Sequence, residues 1–183
     1  ALLKRLYTEA ELQLDDAFSL DSFPDLDAPQ RWFLAAGRLG AHHGQAALKL
    51  KTRAAVSASA DLFQTEIRLR EHLPWQEVDE FRNDLAEAWM NHGNALLEMW
   101  PGRDTLEEAI ECFERAIELR QELPWQEADA FRNDLASAWM YLGNAMQAML
   151  TPQGLQQAVE FYDRAIELQK ELPWQEAVEF RRN

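Results

Sequence analysis

The sequence predicts an all-α fold, an α-solenoid of antiparallel helix pairs. Three observations carry that expectation. Ala, Leu, Glu, Gln and Arg dominate the 183 residues, while Gly and Pro number only seven each, which is helix-forming composition. Long stretches recur with a period of 49–50 residues, and a fixed period of that size marks a repeat architecture. Within each period apolar residues fall at steps of three and four, one face of a helix.

The elements follow in order. Residues 2–18 place Leu3, Leu6, Tyr7, Ala10, Leu14, Ala17 and Phe18 at helical spacing, so a leading helix is expected within 1–22. It reads as the second helix of a preceding repeat or as an N-terminal cap. Repeat one, 23–72, is degenerate: Trp32 stands where repeat two has Phe81, and "HGQA" at 43–46 where it has "HGNA". Repeats two (73–122) and three (123–171) are close copies, with "FRNDLAEAWMNHGNALLEMW" at 81–100 matching "FRNDLASAWMYLGNAMQAML" at 131–150. Their second halves, 106–127 and 155–176, match as well.

Each unit reads as two helices. Ala128, Phe131, Leu135, Ala138, Leu142, Ala145 and Met149 stripe the first helix of repeat three. Leu106, Ala109, Ile110, Phe113, Ala116 and Ile117 stripe the second helix of repeat two. "WPGRD" at 100–104 separates the helices, with Asp104 or Thr105 as the expected N-cap. Glu111 with Arg115, and Glu160 with Arg164, are spaced as exposed i,i+4 ion pairs. Neither helix buries its stripe alone, whereas stacked pairs bury a continuous core.

The joint between pairs is written three times, as "HLPWQEV" at 72–78 and "ELPWQEA" at 122–128 and 171–177. "FPDLDAP" at 23–29 is its worn counterpart. A Pro just inside a helix start is pre-organised, and a bulky residue there staples the entering chain to the core. Trp75, Trp125 and Trp174 are therefore expected to pack between repeats rather than to stack on a ligand. Residues 172–183 begin a fourth first helix and stop short, so the chain is expected to be part of a longer protein, or to pack that end on another copy.

The spacing Trp139-x2-Leu142-Gly143, Ala158-x3-Tyr162, Ala165 and Pro173 resembles the tetratricopeptide repeat (TPR) pattern. Repeat two matches it through Trp89, Gly93, Ala109-x3-Phe113, Ala116 and Pro124. The resemblance spans residues 32–175 and recurs in phase. It departs in period, since a TPR is about 34 residues long, in His92 at the Leu position, and in Gly40 where repeat one lacks the Trp. The surplus length lies mainly before the Trp and between Gly93 and Ala109, which implies a lengthened first helix. The resemblance implies a right-handed superhelix.

Composition narrows function. With 18 basic against 32 acidic residues the net charge is −14. Such a chain repels phosphate backbones and anionic lipid, so neither nucleic acid nor membrane is an expected partner, and a neutral or basic protein or peptide is. Cys112 is the only cysteine, so no internal disulfide forms and a reducing, cytoplasmic setting is expected. No apolar run approaches the roughly 20 residues of a membrane helix. The N-terminus lacks the apolar core of a secretory signal.

Catalytic and metal chemistry find little support. His42 and His43 are adjacent and diverge on a helix, while His43 and His92 are repeat equivalents without an acidic ligand on the same face. Cys112 corresponds to Leu62 and Phe161, the pattern of a packing residue rather than a nucleophile. Gly-rich phosphate loops are absent, and the Glu-rich stretches read as solvated helix faces. No enzyme activity, metal or cofactor is expected.

A second, more polar stripe runs beside the buried one on the first helices. It comprises Asn133, Met140, Asn144 and Gln147 in repeat three, and Asn83, Met90, Asn94 and Leu97 in repeat two. Repeat one offers Arg38, Gln45 and Lys49. An amide at 45, 94 and 144 suits an extended peptide, because it carries donor and acceptor together. The same amides equally suit bonds between neighbouring helices. The TPR resemblance implies that this face lines a concave groove in which Asn grips a peptide backbone. The expected function is a protein-interaction scaffold binding a peptide or partner helix. The alternative is a regulatory or sensor segment of a larger signalling or protease-like protein.

Overall fold

The computed structural model describes residues 25–99 and 102–172. Among these residues there are six helices and no strand: α1 (Ala28–Lys49), α2 (Arg53–Arg70), α3 (Asp79–Glu98), α4 (Arg103–Gln121), α5 (Asp129–Ala148) and α6 (Pro152–Lys170). Each helix packs chiefly on the next in the chain, with lighter contact between α1 and α3 and between α3 and α5. The all-α expectation and its sequential helix pairs hold. The expected leading helix, Trp100 and Pro101 of the "WPGRD" break, and the partial fourth repeat after Leu172 lie outside the described residues.

Helix starts follow local chemistry. Asp27 caps α1 by accepting from the Gln30 backbone N–H, and Gln30 returns the bond to Asp27, a full capping box. Thr52 and Thr151 cap α2 and α6 through their hydroxyls. The expected cap of α4 is corrected: Gly102 occupies the cap position and makes no side-chain bond. The helix starts at Arg103, earlier than the sequence suggests, which leaves the Asp104 carboxylate inside the first turn, where the helix dipole favours it.

The middles of both apolar stripes are buried, while Ile110 and, toward the ends of α5, Ala128, Phe131 and Met149 are half-buried. Leu135, Ala138, Leu142 and Ala145 on α5, and Leu106, Ala109, Phe113, Ala116 and Ile117 on α4, lie in the core. Each pair closes by letting a glycine meet a ring. A Cβ built on Gly44, Gly93 or Gly143 would stand 2.6, 2.7 or 2.5 Å from Phe63, Phe113 or Tyr162 respectively. Those distances are far inside carbon–carbon contact, so glycine is required there by the close approach of the two helices. In repeat one Gly40 sits where the other repeats carry Trp89 and Trp139, and a Cβ built there would meet the Glu66 Cβ in ordinary contact, at 3.6 Å.

The Leu-Pro-Trp joint differs in detail from the expectation. Pro74 and Pro124 do not open the following helix, which begins five residues later. Each instead heads a separate turn, its carbonyl accepting from the N–H groups three and four residues on. Leu73, Leu123 and Leu172 are buried, while Trp75 and Trp125 are half-buried against the core. The joint is thus an elbow anchored by its Leu and covered by its Trp. Part of the surplus length is this elbow rather than added helix.

A repeated arginine fastens the elbows. Arg82 donates to the Gln76 carbonyl of its own elbow and approaches Glu122 at the next one (3.5 Å), and Arg132 does the same to Gln126 and Glu171 (3.7 Å). Asp79 and Asp129 complete each clamp. The expected i,i+4 pairs are not made. Arg115 pairs with Glu118 at 2.8 Å, one turn onward, and the Arg164 guanidinium lies 4.7 Å above the Trp139 ring. Trp139 is only 9% exposed, and a cation–π contact with a desolvated ring holds a guanidinium more firmly than an exposed ion pair does. For the elbow, Trp125→Ala is expected to lower stability by about 2–4 kcal/mol in denaturant titration, below the cost for a fully buried Trp because the ring is half-exposed.

Candidate interaction face of the first helices

The polar stripe lies on α1, α3 and α5, and its members have unlike surroundings. Gln45 and Lys49 are exposed on α1. Arg38 is half-buried and stands 3.8 Å from Glu80 of the next repeat. On α3, Asn94 and Leu97 are half-buried, and Leu97 packs against the core. Met90 is only 5% exposed and belongs to the core. Its equivalent Met140 on α5 is 38% exposed. The difference follows from position, since α3 has a first helix on either side of it, α1 and α5.

The amides divide between two tasks. Asn83 donates to the Asp134 carboxylate at 3.2 Å, tying repeat two to repeat three, and its Oδ1 is buried without a partner. Asn133 is half-buried, and its backbone carbonyl accepts from the Ser137 hydroxyl. The Tyr162 hydroxyl lies 2.8 Å from Asn144 Oδ1 and 3.2 Å from Gln147 Oε1. Its single proton serves one of these at a time. In repeats one and two the Tyr162 position is Phe63 or Phe113, so no hydroxyl there reaches Gln45 or Asn94.

The largest electrostatic feature joins repeats one and two. Arg70 donates to Glu66 Oε1 at 2.7 Å and to the Asp84 carboxylate across the α2–α3 boundary. Glu66 is 1% exposed, and its Oε2 has no partner. Burial pushes its carboxyl up to about 7, against the pull of Arg70 and with help from Glu87 and Asp84. Arg70 shifts upward because two carboxylates outweigh its desolvation. Its equivalent Arg120 shifts downward instead. There the Glu66 position is Ala116, and the guanidinium donates to the Asp134 backbone carbonyl. Sequence reasoning missed this triad: Arg70 and Asp84 recur as Arg120 and Asp134, and only Glu66 stands where the other repeats carry alanine. The break in the repeat pattern at Glu66 was the available signal.

Of the histidines and the cysteine, His92 and Cys112 are buried, His43 is half-buried, and His42 and His72 are exposed. Burial lowers His92, and its Nε2 stands 3.8 Å from Glu108. His42 and His43 meet edge to face, and His72 stacks on Phe33. Cys112 is buried, and its thiol is pushed up to about 12, which leaves negligible thiolate at neutral pH. Among the described residues no cluster of three His, Cys, Asp or Glu side chains is spaced to hold a metal, and no helix is long and apolar enough to cross a membrane.

No protein-family model matches the chain, and no curated protein sequence matches it. Among solved structures it is similar to the chain of a DHF58 filament, with a TM-score of 0.52 and 18% identity over 92% of this chain and 82% of that one. At that identity the likeness concerns the fold alone: an all-α, repeat-like arrangement of helices.

The triad generates a pH prediction. Because Glu66 holds its proton more tightly folded (about 7) than unfolded (4.5), its contribution to stability is complete below the lower value and lost as pH rises through the upper one. That loss is of order 3 kcal/mol. Glu66→Gln is expected to flatten the fall in stability between pH 5 and 8, measured by urea titration at several pH values. An unchanged slope would place the titration elsewhere.

Proposed function

We propose that this chain is a non-enzymatic protein-interaction scaffold, a TPR-like α-solenoid with a right-handed superhelix. Its first helices would line a groove for a peptide or partner helix of neutral or basic character. The observation that carries the reading is the in-phase recurrence of an amide at Gln45, Asn94 and Asn144, exposed or half-exposed in all three repeats. Gln147 and the exposed thioether of Met140 widen that surface, and a thioether adapts its shape to apolar partners. Lys49, exposed at the repeat-one end, suits a partner carboxylate better than Arg38, which already faces Glu80. The acidic balance of the whole chain favours a basic partner.

A selection from a random peptide library on the immobilised chain tests this. Enriched peptides are expected to lose at least about tenfold in affinity for an Asn94→Ala/Asn144→Ala variant whose thermal midpoint is unchanged. Equal affinity for both proteins, or no enrichment, sinks the groove assignment.

A second reading concerns the end of the array. On α6, Leu155, Val159 and Ile166 are 46%, 58% and 46% exposed, whereas their equivalents Leu106 and Ile117 on α4 are buried and Ile110 packs against the core. The next first helix, α5, covers that face of α4. The α6 face therefore suits a further repeat, supplied by continuing chain or by a second copy, and the regulatory-segment alternative shares this requirement. The structural neighbour is a filament, but this chain's own α6 face is what supports end-to-end association. Sedimentation at rising concentration is expected to show self-association that Val159→Glu/Ile166→Glu abolishes. A monomer at every concentration would retire the second-copy form.

A further inference from the structure

A cleft of about 540 Å³ opens between α2 and α4 over the side of α3 that carries Trp89 and His92. That volume lies in the range of small-molecule pockets. Its interior is formed by Ile67, Trp89, Cys112 and His92. The comparison that gives it meaning is internal. In repeat three the corresponding Trp139 is covered: the Phe161 ring lies 5.4 Å from it, and the Arg164 guanidinium sits over its face. In repeat two, Phe161 becomes Cys112, Leu142 becomes His92, and Arg115 is turned away to Glu118. The indole that repeat three stacks with an aromatic ring and a cation is left without either in repeat two.

A further feature points to the character of the occupant. The rim bears three carboxylates, Glu71, Glu108 and Glu111, against two guanidiniums. The carboxylates outnumber the guanidiniums, and Glu118 beside Arg115 adds a further negative charge. The rim therefore favours positive charge.

We propose that this cleft binds a small aromatic amine. The ring would take the room that the Phe161 ring takes in repeat three, against Trp89. The ammonium group would lie toward Glu108 and Glu111, supplying from outside the cation that Arg164 provides on Trp139. The site uses a different side of α3 from Asn83 and Asn94, so it does not depend on the groove proposed above.

Tryptamine is the probe, with indole-3-acetate as its oppositely charged counterpart, each titrated into the whole chain by calorimetry and by ¹H–¹⁵N NMR. Tryptamine is expected to bind saturably in the micromolar to millimolar range, to shift the Trp89 indole N–H and Cys112 amide signals, and to bind at least about fivefold more tightly than indole-3-acetate. Cys112→Phe, which restores the repeat-three side chain, is expected to abolish binding. Should that variant fold poorly, Glu108→Gln/Glu111→Gln changes only exposed rim residues and is expected to weaken tryptamine about tenfold with an unchanged thermal midpoint. The proposal is overturned by no saturable binding, by signal shifts confined to other tryptophans, by equal binding to folded Cys112→Phe, by a rim variant that binds like wild type, or by indole-3-acetate binding as tightly as tryptamine.

Discussion

Everything in this array depends on how closely the two helices of a pair approach each other, and a single contact fixes that distance. At Gly44, Gly93 and Gly143 the first helix presents bare backbone to an aromatic ring of the second, with no room for even one added carbon. The contact recurs at the same place in each period, so each pair carries the same limit on its closest approach. The buried stripes of α4 and α5 then meet in a core that continues from pair to pair. Interiors pack with few voids, so a change at this point would displace the ring and, through it, the neighbouring helix.

With that spacing held constant, differences among the repeats act as substitutions in a common frame. Repeat one lacks the tryptophan and has Gly40 in its place, and the Glu66 Cβ faces that glycine. Burying a carboxylate is costly unless it is paired, and the Arg70 guanidinium pairs with one of its two oxygens. Repeat two keeps the tryptophan but replaces its covering ring with Cys112, which opens a cleft. Repeat three is filled at that site, and its added hydroxyl on Tyr162 engages Asn144 and Gln147. One scaffold thus carries three local chemistries.

Much of the fold was legible in the sequence for a physical reason: periodic burial needs periodic residues. The stripes on α4 and α5, the glycines and the elbow leucines all recur, and repetition exposes them without coordinates. What stayed hidden was aperiodic. Glu66 stands where the other repeats have alanine, and nothing local announces that its partner Arg70 also reaches Asp84, fourteen residues further on. The start of α4 at Arg103 was missed because Asp104 and Thr105 look like caps, although a glycine with extended backbone begins the helix before them. The polar stripe was legible as a pattern, but Met90 and Met140 read alike and differ in burial, because burial depends on which helices flank each one.

The arginine clamps carry one more consequence. Arg82 and Arg132 each hold the turn that precedes their own helix and also reach the turn that ends the pair. Loosening one turn would therefore free an arginine that steadies the adjacent one. Each clamp thus couples two successive elbows through one guanidinium, and because its carboxylate partners are exposed this polar link between joints is the part of the array that salt would weaken first.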